Sequence, residues 1–208
     1  MINKRIILLL LFIIQGAAYA QQAYQLDVKE SKILWNNRQT MGGHYGYLLF
    51  SSGTLIYSST GQPNNGVFSM DMNSIRSQDH KEAAGNQRVD KELRTPGFFD
   101  IDKFPAATMR VTKIARVGQS DNYKVNGDLT IKGITNPIEF IAAFKKKGEV
   151  INVTGEVKMD RLKWNIDLRP AREAQPKPWD LVTNLQSNIK NKIMVAEIPI
   201  TLQMVFTR

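Results

Sequence analysis

The chain contains no cysteine among its 208 residues. It can therefore form no disulfide, thiolate metal site or iron–sulfur cluster, and it offers no cysteine nucleophile. Histidine is almost as scarce, because His44 and His80 are the only two. A metal site built on two histidines would also need carboxylates nearby. From so few suitable groups we expect no bound metal and no cofactor.

Long hydrophobic runs are missing everywhere except at the start of the chain. There Lys4 and Arg5 precede the apolar run 6–14, and Ala18 and Ala20 flank Tyr19 in a small-x-small pattern. The run is shorter than the roughly 20 apolar residues that span a bilayer. We interpret residues 1–20 as a cleavable signal peptide and residues 21–208 as one exported domain, periplasmic or secreted and not membrane-spanning. An uncleaved anchor is the alternative, and without a cysteine a lipid anchor is excluded.

Positive charge is in excess, with a formal net charge of +9. The basic residues are spread along the chain, and the one dense cluster, 145–147, precedes Gly148 in a predicted turn. Short charge runs of this kind are typical of solvated hairpin tips. Together with export, this distribution leads us to expect no nucleic-acid partner.

Apolar and polar residues alternate with a period of two from Tyr24 onward. The clearest examples are Phe68, Met70 and Met72 against polar neighbours, and the run from Tyr123 to Ile131. Such alternation places one face of each strand in an apolar interior and is typical of antiparallel sheets. Turn signals separate the runs, among them 51–53, 61–66, 118–122, 133–137 and 147–148. Seven to nine short strands must then close as a barrel or pair as a sandwich.

One stretch in the middle of the chain lacks this alternation of apolar and polar residues. Residues 78–94 are charged and rich in helix formers, with Val89 and Leu93 four apart. This spacing predicts one short helix lying across an open end of the sheet. Phe98, Phe99 and Phe104 follow at once and would give that helix an apolar surface to cover.

A second irregular stretch lies near the end, from about 169 to 191. Residues 180–192 carry leucine or isoleucine at every fourth position, which predicts a weakly amphipathic helix. Trp179 stands among prolines just before it. We interpret Trp179 either as the anchor of a lid or as part of a small separate apolar cluster.

Two long motifs carry a family resemblance. The first is Leu93–Thr108, with sequence LRTPGFFDIDKFPAAT, and the second is Asn126–Pro137, with sequence NGDLTIKGITNP. Shorter supporting segments occur in the same order along the chain: Tyr24–Asp27, Phe68–Ile75 and Asp160–Ile166. On these residues the sequence resembles the YceI-like family of exported lipid-binding proteins.

The resemblance implies an all-β fold, an eight-stranded antiparallel lipocalin-like barrel with one or two short helices. It also implies a non-catalytic carrier or sequestering protein that holds an isoprenoid or fatty-acyl lipid in an apolar pocket. Two alternatives remain open: a protein-interaction or stress-response module with a filled barrel, and, less favoured, a lipid- or amide-processing enzyme. Pairing of two copies as a homodimer through an exposed edge strand is also left open.

The alternation selects the residues that would face such a pocket. From the residues alone, a packed interior and a ligand cavity are equally favoured. The small Gly127, Ala142 and Gly155 would leave volume, flexible methionines would adapt to whatever fills it, and the resemblance favours the cavity. The predicted pocket residues are Trp35, Phe68, Met70, Met109, Val125, Leu129, Ile131, Phe140, Ala142, Phe144, Val153, Val157, Ile200, Leu202 and Met204.

Polar groups for a lipid headgroup are fewer. His44 between glycines is a candidate at the mouth, and His80 and Arg88 on the predicted helix are candidates for contact with a phosphate, with a solvated helix face as the alternative. Asp100 and Asp102 resemble a catalytic carboxylate pair, but they stand in the first motif beside a proline. We interpret them as turn formers, and we predict no catalytic residue.

Overall fold

The computed structural model describes residues 21–37, 43–166 and 197–208. The predicted signal peptide, residues 1–20, lies outside the described residues. So do Trp179 and the predicted helix at 180–192. Within the described ranges, no helix has the length and apolar character needed to cross a membrane.

Most of the described chain is extended. One α-helix, α1 (Ala83–Arg94), and one 3₁₀ turn (Arg161–Trp164) interrupt the strands of this part of the chain. The strands are β1 (Gln22–Leu26), β2 (Lys32–Asn36), β3 (Tyr45–Tyr57), β4 (Pro63–Ser77), β5 (Ala106–Arg116), β6 (Asn122–Ile131), β7 (Ile134–Lys147), β8 (Val150–Asp160) and β9 (Glu197–Thr207).

The strands close into one antiparallel barrel. Strands β3 to β9 pair in sequence order, and β1 and β2 both lie between β3 and β9. The two short strands thus share one position, and the barrel has eight positions around its circumference. The predicted eight-stranded antiparallel barrel is confirmed. Each described strand pairs with a neighbouring strand on both sides. The pairing of two copies as a homodimer stays a prediction.

A short polar segment, residues 27–31, separates β1 from β2. The carboxylate of Asp27 accepts hydrogen bonds from the backbone N–H groups of Lys29 and Glu30, which makes a tight turn. The buried hydroxyl of Ser31 then accepts from the backbone N–H of Val205 at 3.0 Å. Ser31 therefore satisfies a backbone group of β9 between the part of β9 that pairs with β2 and the part that pairs with β1.

The barrel has three tight hairpins at one end, whereas the helix-containing connections lie at the other. The β3–β4, β5–β6 and β7–β8 hairpins turn at one end, away from α1. The opposite end carries α1, the 3₁₀ turn and the β6–β7 turn. This last turn is shorter than the predicted 133–137, because Lys132 and Gly133 both adopt positive φ and the strand resumes at Ile134.

The end with the tight hairpins has a conventional packed core. The rings of Tyr24 and Tyr57 lie 5.2 Å apart, and those of Tyr123 and Phe144 lie 5.1 Å apart in an edge-to-face arrangement. Phe206 is 1% exposed between them and the centre of the barrel. These five aromatic residues define what we call the packed half of the barrel.

Candidate functional site

The other half of the barrel is hollow. It encloses a cavity of about 970 Å³ that extends from Phe50 and Phe68 toward α1. Phe68 stands at the boundary, because its ring contacts Phe50 on the cavity side and Phe206 in the packed half. The alternative of a barrel filled throughout by its own side chains is therefore correct for only one half.

Most of the predicted pocket residues are brought together around this cavity. Eleven of the fifteen line it: Trp35, Phe68, Met70, Met109, Leu129, Ile131, Phe140, Val157, Ile200, Leu202 and Met204. The other four, Val125, Ala142, Phe144 and Val153, also face inward but lie in the packed half. Alternation along a strand identifies which side chains face inward. Whether an inward side chain lies beside the cavity or in the packed half depends on the register between strands.

The small residues expected to leave space do not create the cavity. Gly127 and Gly155 are not among its lining residues. A Cβ at Gly127 would lie 2.8 Å from the terminal methyl of Met109, and one at Gly155 would lie 3.1 Å from Ala142. Neighbouring groups therefore occupy the room that these glycines leave. The expectation that they open the interior is wrong.

The open end of the cavity forms a mouth, which we define by His44, Val89, Leu93, Phe98 and Arg161. Val89 is the buried residue of α1, and Leu93 follows one turn later, so the apolar stripe of the helix covers the barrel end as predicted. Phe98 lies in the turn after α1. Sequence reasoning treated these residues as helix packing and did not include them in the pocket.

Hydrogen bonds from the second motif hold the mouth together. The ammonium of Lys132 donates to the carbonyl of Pro96 and to that of Asn165, each at 3.0 Å. The indole N–H of Trp164 donates to the carbonyl of Leu129 at 3.1 Å. The first motif, the second motif and the supporting segment at 160–166 thus meet at one rim of the barrel.

Arg161 is a buried charged residue that sequence reasoning missed. It is 5% exposed, lines the cavity, and donates from Nη1 to the carbonyl of Ile166 at 2.6 Å. Asn37, His44 and Glu92 are the other polar side chains in the described cavity wall. The signal that could have identified Arg161 was its place in the supporting segment at 160–166.

A polar cluster joins two connections beside the mouth. Nδ1 of His44 lies 2.7 Å from Oδ2 of Asp79, and Nε2 of His80 lies 3.5 Å from the same oxygen. Ser77 donates its hydroxyl to the other carboxylate oxygen. Burial raises the pKa of Asp79, but the hydrogen bonds from Ser77, from His44 and from its own backbone N–H outweigh it, so the net pKa is lowered.

The three predicted headgroup residues occupy different places. His44 belongs both to the cavity wall and to this cluster, whereas His80 belongs to the cluster but not to the wall. Arg88 is exposed on α1 and is not part of the cavity wall. Sequence reasoning missed Asp79, which connects the two histidines.

The acidic pair in the first motif has a structural position. Asp100 has a positive φ of 48°, and its carbonyl accepts from the backbone N–H groups of Lys103 and Phe104. Asp102 lies in the same turn. The geometry is that of a turn former, as the sequence indicated, and neither carboxylate is in the cavity wall.

Comparison with known proteins gives a family match over almost the whole described chain. The model of the YceI-like domain matches residues 24–206. A UPF0312 protein of Photorhabdus laumondii is 29% identical over 89 residues, which are 39% of this chain and 45% of that protein. A UPF0312 protein of Pectobacterium atrosepticum is 29% identical over 92 residues, which are 40% and 47% of the two chains. The chain thus spans about half the length of these curated relatives.

Two solved structures share the fold at low sequence identity. Burkholderia cenocepacia BcnA superposes with a TM-score of 0.64 at 20% identity, covering 86% of this chain and 98% of that chain. A polyisoprenoid binding domain from Saccharophagus degradans, implicated in plant cell wall breakdown, superposes with a TM-score of 0.54 at 13% identity, covering 88% and 97%. At such identities the likeness shows the barrel fold alone.

Proposed function

The chain belongs to the YceI-like family, and on that premise we propose that it is a non-catalytic carrier or sequestering protein for an isoprenoid or fatty-acyl lipid. The observation that carries the proposal is the apolar cavity of about 970 Å³ beneath α1. The solved polyisoprenoid binding domain of the same fold supports this class of ligand.

The cavity has the size and chemistry for a lipid tail. Its volume is at the upper end of the roughly 300–1,000 Å³ typical of small-molecule pockets. At about 30 Å³ for each water-sized group, it holds on the order of 30 non-hydrogen atoms. Burial of a 16-carbon tail contributes on the order of 12 kcal/mol before ordering and association costs are subtracted. Micromolar or tighter binding therefore requires no specific polar contact.

The polar groups of the wall suggest how the lipid is oriented. Phe50, Phe68 and Met204 provide an apolar floor next to the packed half, whereas His44 and Arg161 lie at the mouth. A tail directed at the floor leaves its carboxylate or phosphate beside these two basic side chains. Because Arg161 is buried, its charge-assisted hydrogen bonds are stronger than those of a solvated arginine.

The composition of the wall favours binding over catalysis. Among the described residues, no serine, threonine, tyrosine or lysine lines the cavity. A hydrolase acting on an ester or amide would need a nucleophile paired with a base at that surface. We further propose that the signal peptide, residues 1–20, directs the protein to the periplasm or the exterior, where it meets lipids rather than nucleic acid.

Lipid binding in the cavity can be tested by replacing a wall residue with a larger side chain. We expect native mass spectrometry of gently purified protein to show an apolar adduct, and a fluorescent fatty acid to bind with one-to-one stoichiometry. Leu202→Trp places an indole in the cavity and should weaken binding about tenfold or more, equivalent to about 1.4 kcal/mol. The matched control is Ile141→Trp, because Ile141 is 47% exposed on the outer surface of β7 and should leave affinity unchanged.

Folding of both variants is checked by circular dichroism, and Ile200→Phe provides a second, smaller filling of the same wall. Full affinity in a folded Leu202→Trp or Ile200→Phe protein would contradict the proposed site. Turnover of an ester or amide analogue would instead favour the enzyme alternative.

A further inference from the structure

We infer that His44, Asp79 and His80 form a binding site for Zn²⁺ or a similar divalent transition metal at the rim of the cavity. These three residues are called the His–Asp–His cluster below. The inference concerns the side chains of the cluster and does not require that the cavity binds lipid. It replaces the sequence-based expectation that the chain holds no metal.

The donor atoms already converge. One ring nitrogen of His44, one of His80 and one carboxylate oxygen of Asp79 all lie within 4.8 Å of one another. Zinc bonds of about 2.0–2.1 Å in a tetrahedral site place neighbouring donors about 3.3 Å apart. The observed 2.7 Å and 3.5 Å separations from Asp79 bracket that value. Metal binding therefore requires only small movements of side chains.

The carboxylate is held in a fixed orientation. The side chain of Asp79 is 9% exposed, and the Ser77 hydroxyl donates to the oxygen that does not face the histidines. Ser77 is itself anchored, because its backbone N–H donates to Asp90 of α1 at 2.6 Å. Hydrogen bonds from neighbouring groups to metal-ligating side chains orient those side chains and raise the affinity of the site for metal.

His80 is supported in a similar way from α1. Asn86 accepts from the backbone N–H of His80 at 2.9 Å and donates to its carbonyl at 3.0 Å. The imidazole packs on Gly85, where a Cβ would lie 2.6 to 2.9 Å from three atoms of His80. A glycine at this position is therefore required for His80 to approach Asp79.

The donor set selects the class of metal. Two imidazoles and one carboxylate suit Zn²⁺, Co²⁺, Ni²⁺ or Cu²⁺, whereas Mg²⁺ and Ca²⁺ prefer oxygen donors throughout. Three protein donors leave a fourth tetrahedral position for water or a ligand. Because His44 also lines the cavity, an anionic headgroup at the mouth could supply that donor. This last step, unlike metal binding itself, rests on the proposed function.

The absence of other histidines and of cysteine allows a clean measurement. Untagged protein is titrated with Zn²⁺ by calorimetry and with Co²⁺ by visible absorption. We expect one-to-one binding of both metals and none of Mg²⁺. His80→Ala removes a donor from an exposed side chain, and Gly85→Ala displaces the His80 ring. Each should weaken Zn²⁺ binding about tenfold or more. Gln87→Ala, also exposed on α1, is the matched control.

Asp79→Asn tests the carboxylate, and thermal unfolding without metal identifies any loss due to misfolding. Unchanged Zn²⁺ affinity in folded His80→Ala protein would overturn the proposed metal site. A fluorescent fatty acid is then titrated with and without Zn²⁺. Tighter binding in Zn²⁺ supports headgroup coordination, and equal binding overturns that step. Absence of fatty-acid binding under both conditions contradicts the proposed function while the Zn²⁺ titration still decides the metal site.

Discussion

At the scale of single residues, the buried tyrosine Tyr57 shows how the packed half depends on pH. It is 3% exposed, with the ammonium of Lys146 5.1 Å from its ring centre. Burial raises the pKa of its hydroxyl above 10.0, and charge on Tyr123 and Tyr24 would raise it further. In the unfolded chain the pKa returns to about 10.

The neutral phenol of Tyr57 therefore contributes stability that is complete below about pH 10 and is lost as pH rises above that value. We predict that the free energy of unfolding falls steeply from about pH 10 upward. In Tyr57→Phe protein that decline should be shallower, because the phenol no longer has to stay protonated in the folded state.

Urea unfolding at about pH 8 and about pH 11 measures the effect. The matched control variant is Tyr47→Phe, which removes the hydroxyl of a half-buried tyrosine of the same strand. Equal declines in wild-type and Tyr57→Phe protein would show that Tyr57 is not the responsible group.

Individual polar residues were the hardest part of the site to predict. The sequence identified both histidines, but Asp79 became important only because the β3–β4 pairing, which places Gly46 opposite Ser77, brings His44 beside it across 35 positions. Arg161 likewise lines the cavity only because the 3₁₀ turn places it there. Periodicity carries information about apolar faces and none about which distant polar groups meet.

At the scale of elements, the β6–β7 turn connects the family motifs through one side chain. Lys132 has a φ of 52° at the start of this turn, and its ammonium bonds two carbonyls from different segments. We predict that Lys132→Met lowers the free energy of unfolding by about 1–3 kcal/mol, in the range of hydrogen bonds to charged groups.

The same variant should release lipid faster, because it lacks the two hydrogen bonds by which Lys132 joins the turn after α1 to the 3₁₀ turn. Stopped-flow displacement of a fluorescent fatty acid measures that rate. Lys158→Met, on the exposed face of β8, removes the same charge without these contacts and should leave release unchanged. Equal release rates in both variants would count against a role for Lys132 at the mouth.

Strands and helix were largely predictable, whereas their interruptions were not. Alternation identified the inner faces, and the Val89–Leu93 spacing predicted α1, which begins at Ala83 rather than near 78. The break between β1 and β2 was missed because it depends on Ser31 bonding to β9, 174 positions away. Local sequence does not record such a long-range contact.

At the scale of the whole molecule, the barrel combines a packed half with a hollow one. We predict that the two halves differ in local stability, because a hollow interior provides fewer contacts to resist opening. Strand β9 crosses both halves: Leu202 lines the cavity, whereas Phe206 is 1% exposed in the packed half.

Hydrogen exchange measured by NMR on lipid-free protein should show faster exchange at Leu202 than at Phe206. Addition of a fatty acid should slow exchange at Leu202 more than at Phe206. Both residues pair with neighbouring strands on either side, which makes the comparison internal to one strand. Uniform exchange along β9 with no response to fatty acid would contradict the division into halves.

The separation of short hairpins from the mouth has a practical consequence for labelling. Gly61, Gly118 and Gly148 stand at the tips of three hairpins, with nothing near the position of a Cβ. A thiol introduced beside one of them, as in Gln119→Cys, would be unique in this cysteine-free sequence. A dye or surface linker attached there would lie at the opposite end of the barrel from the mouth of the cavity. The barrel could then be immobilised with its mouth free, as a sensor for any ligand that enters the cavity.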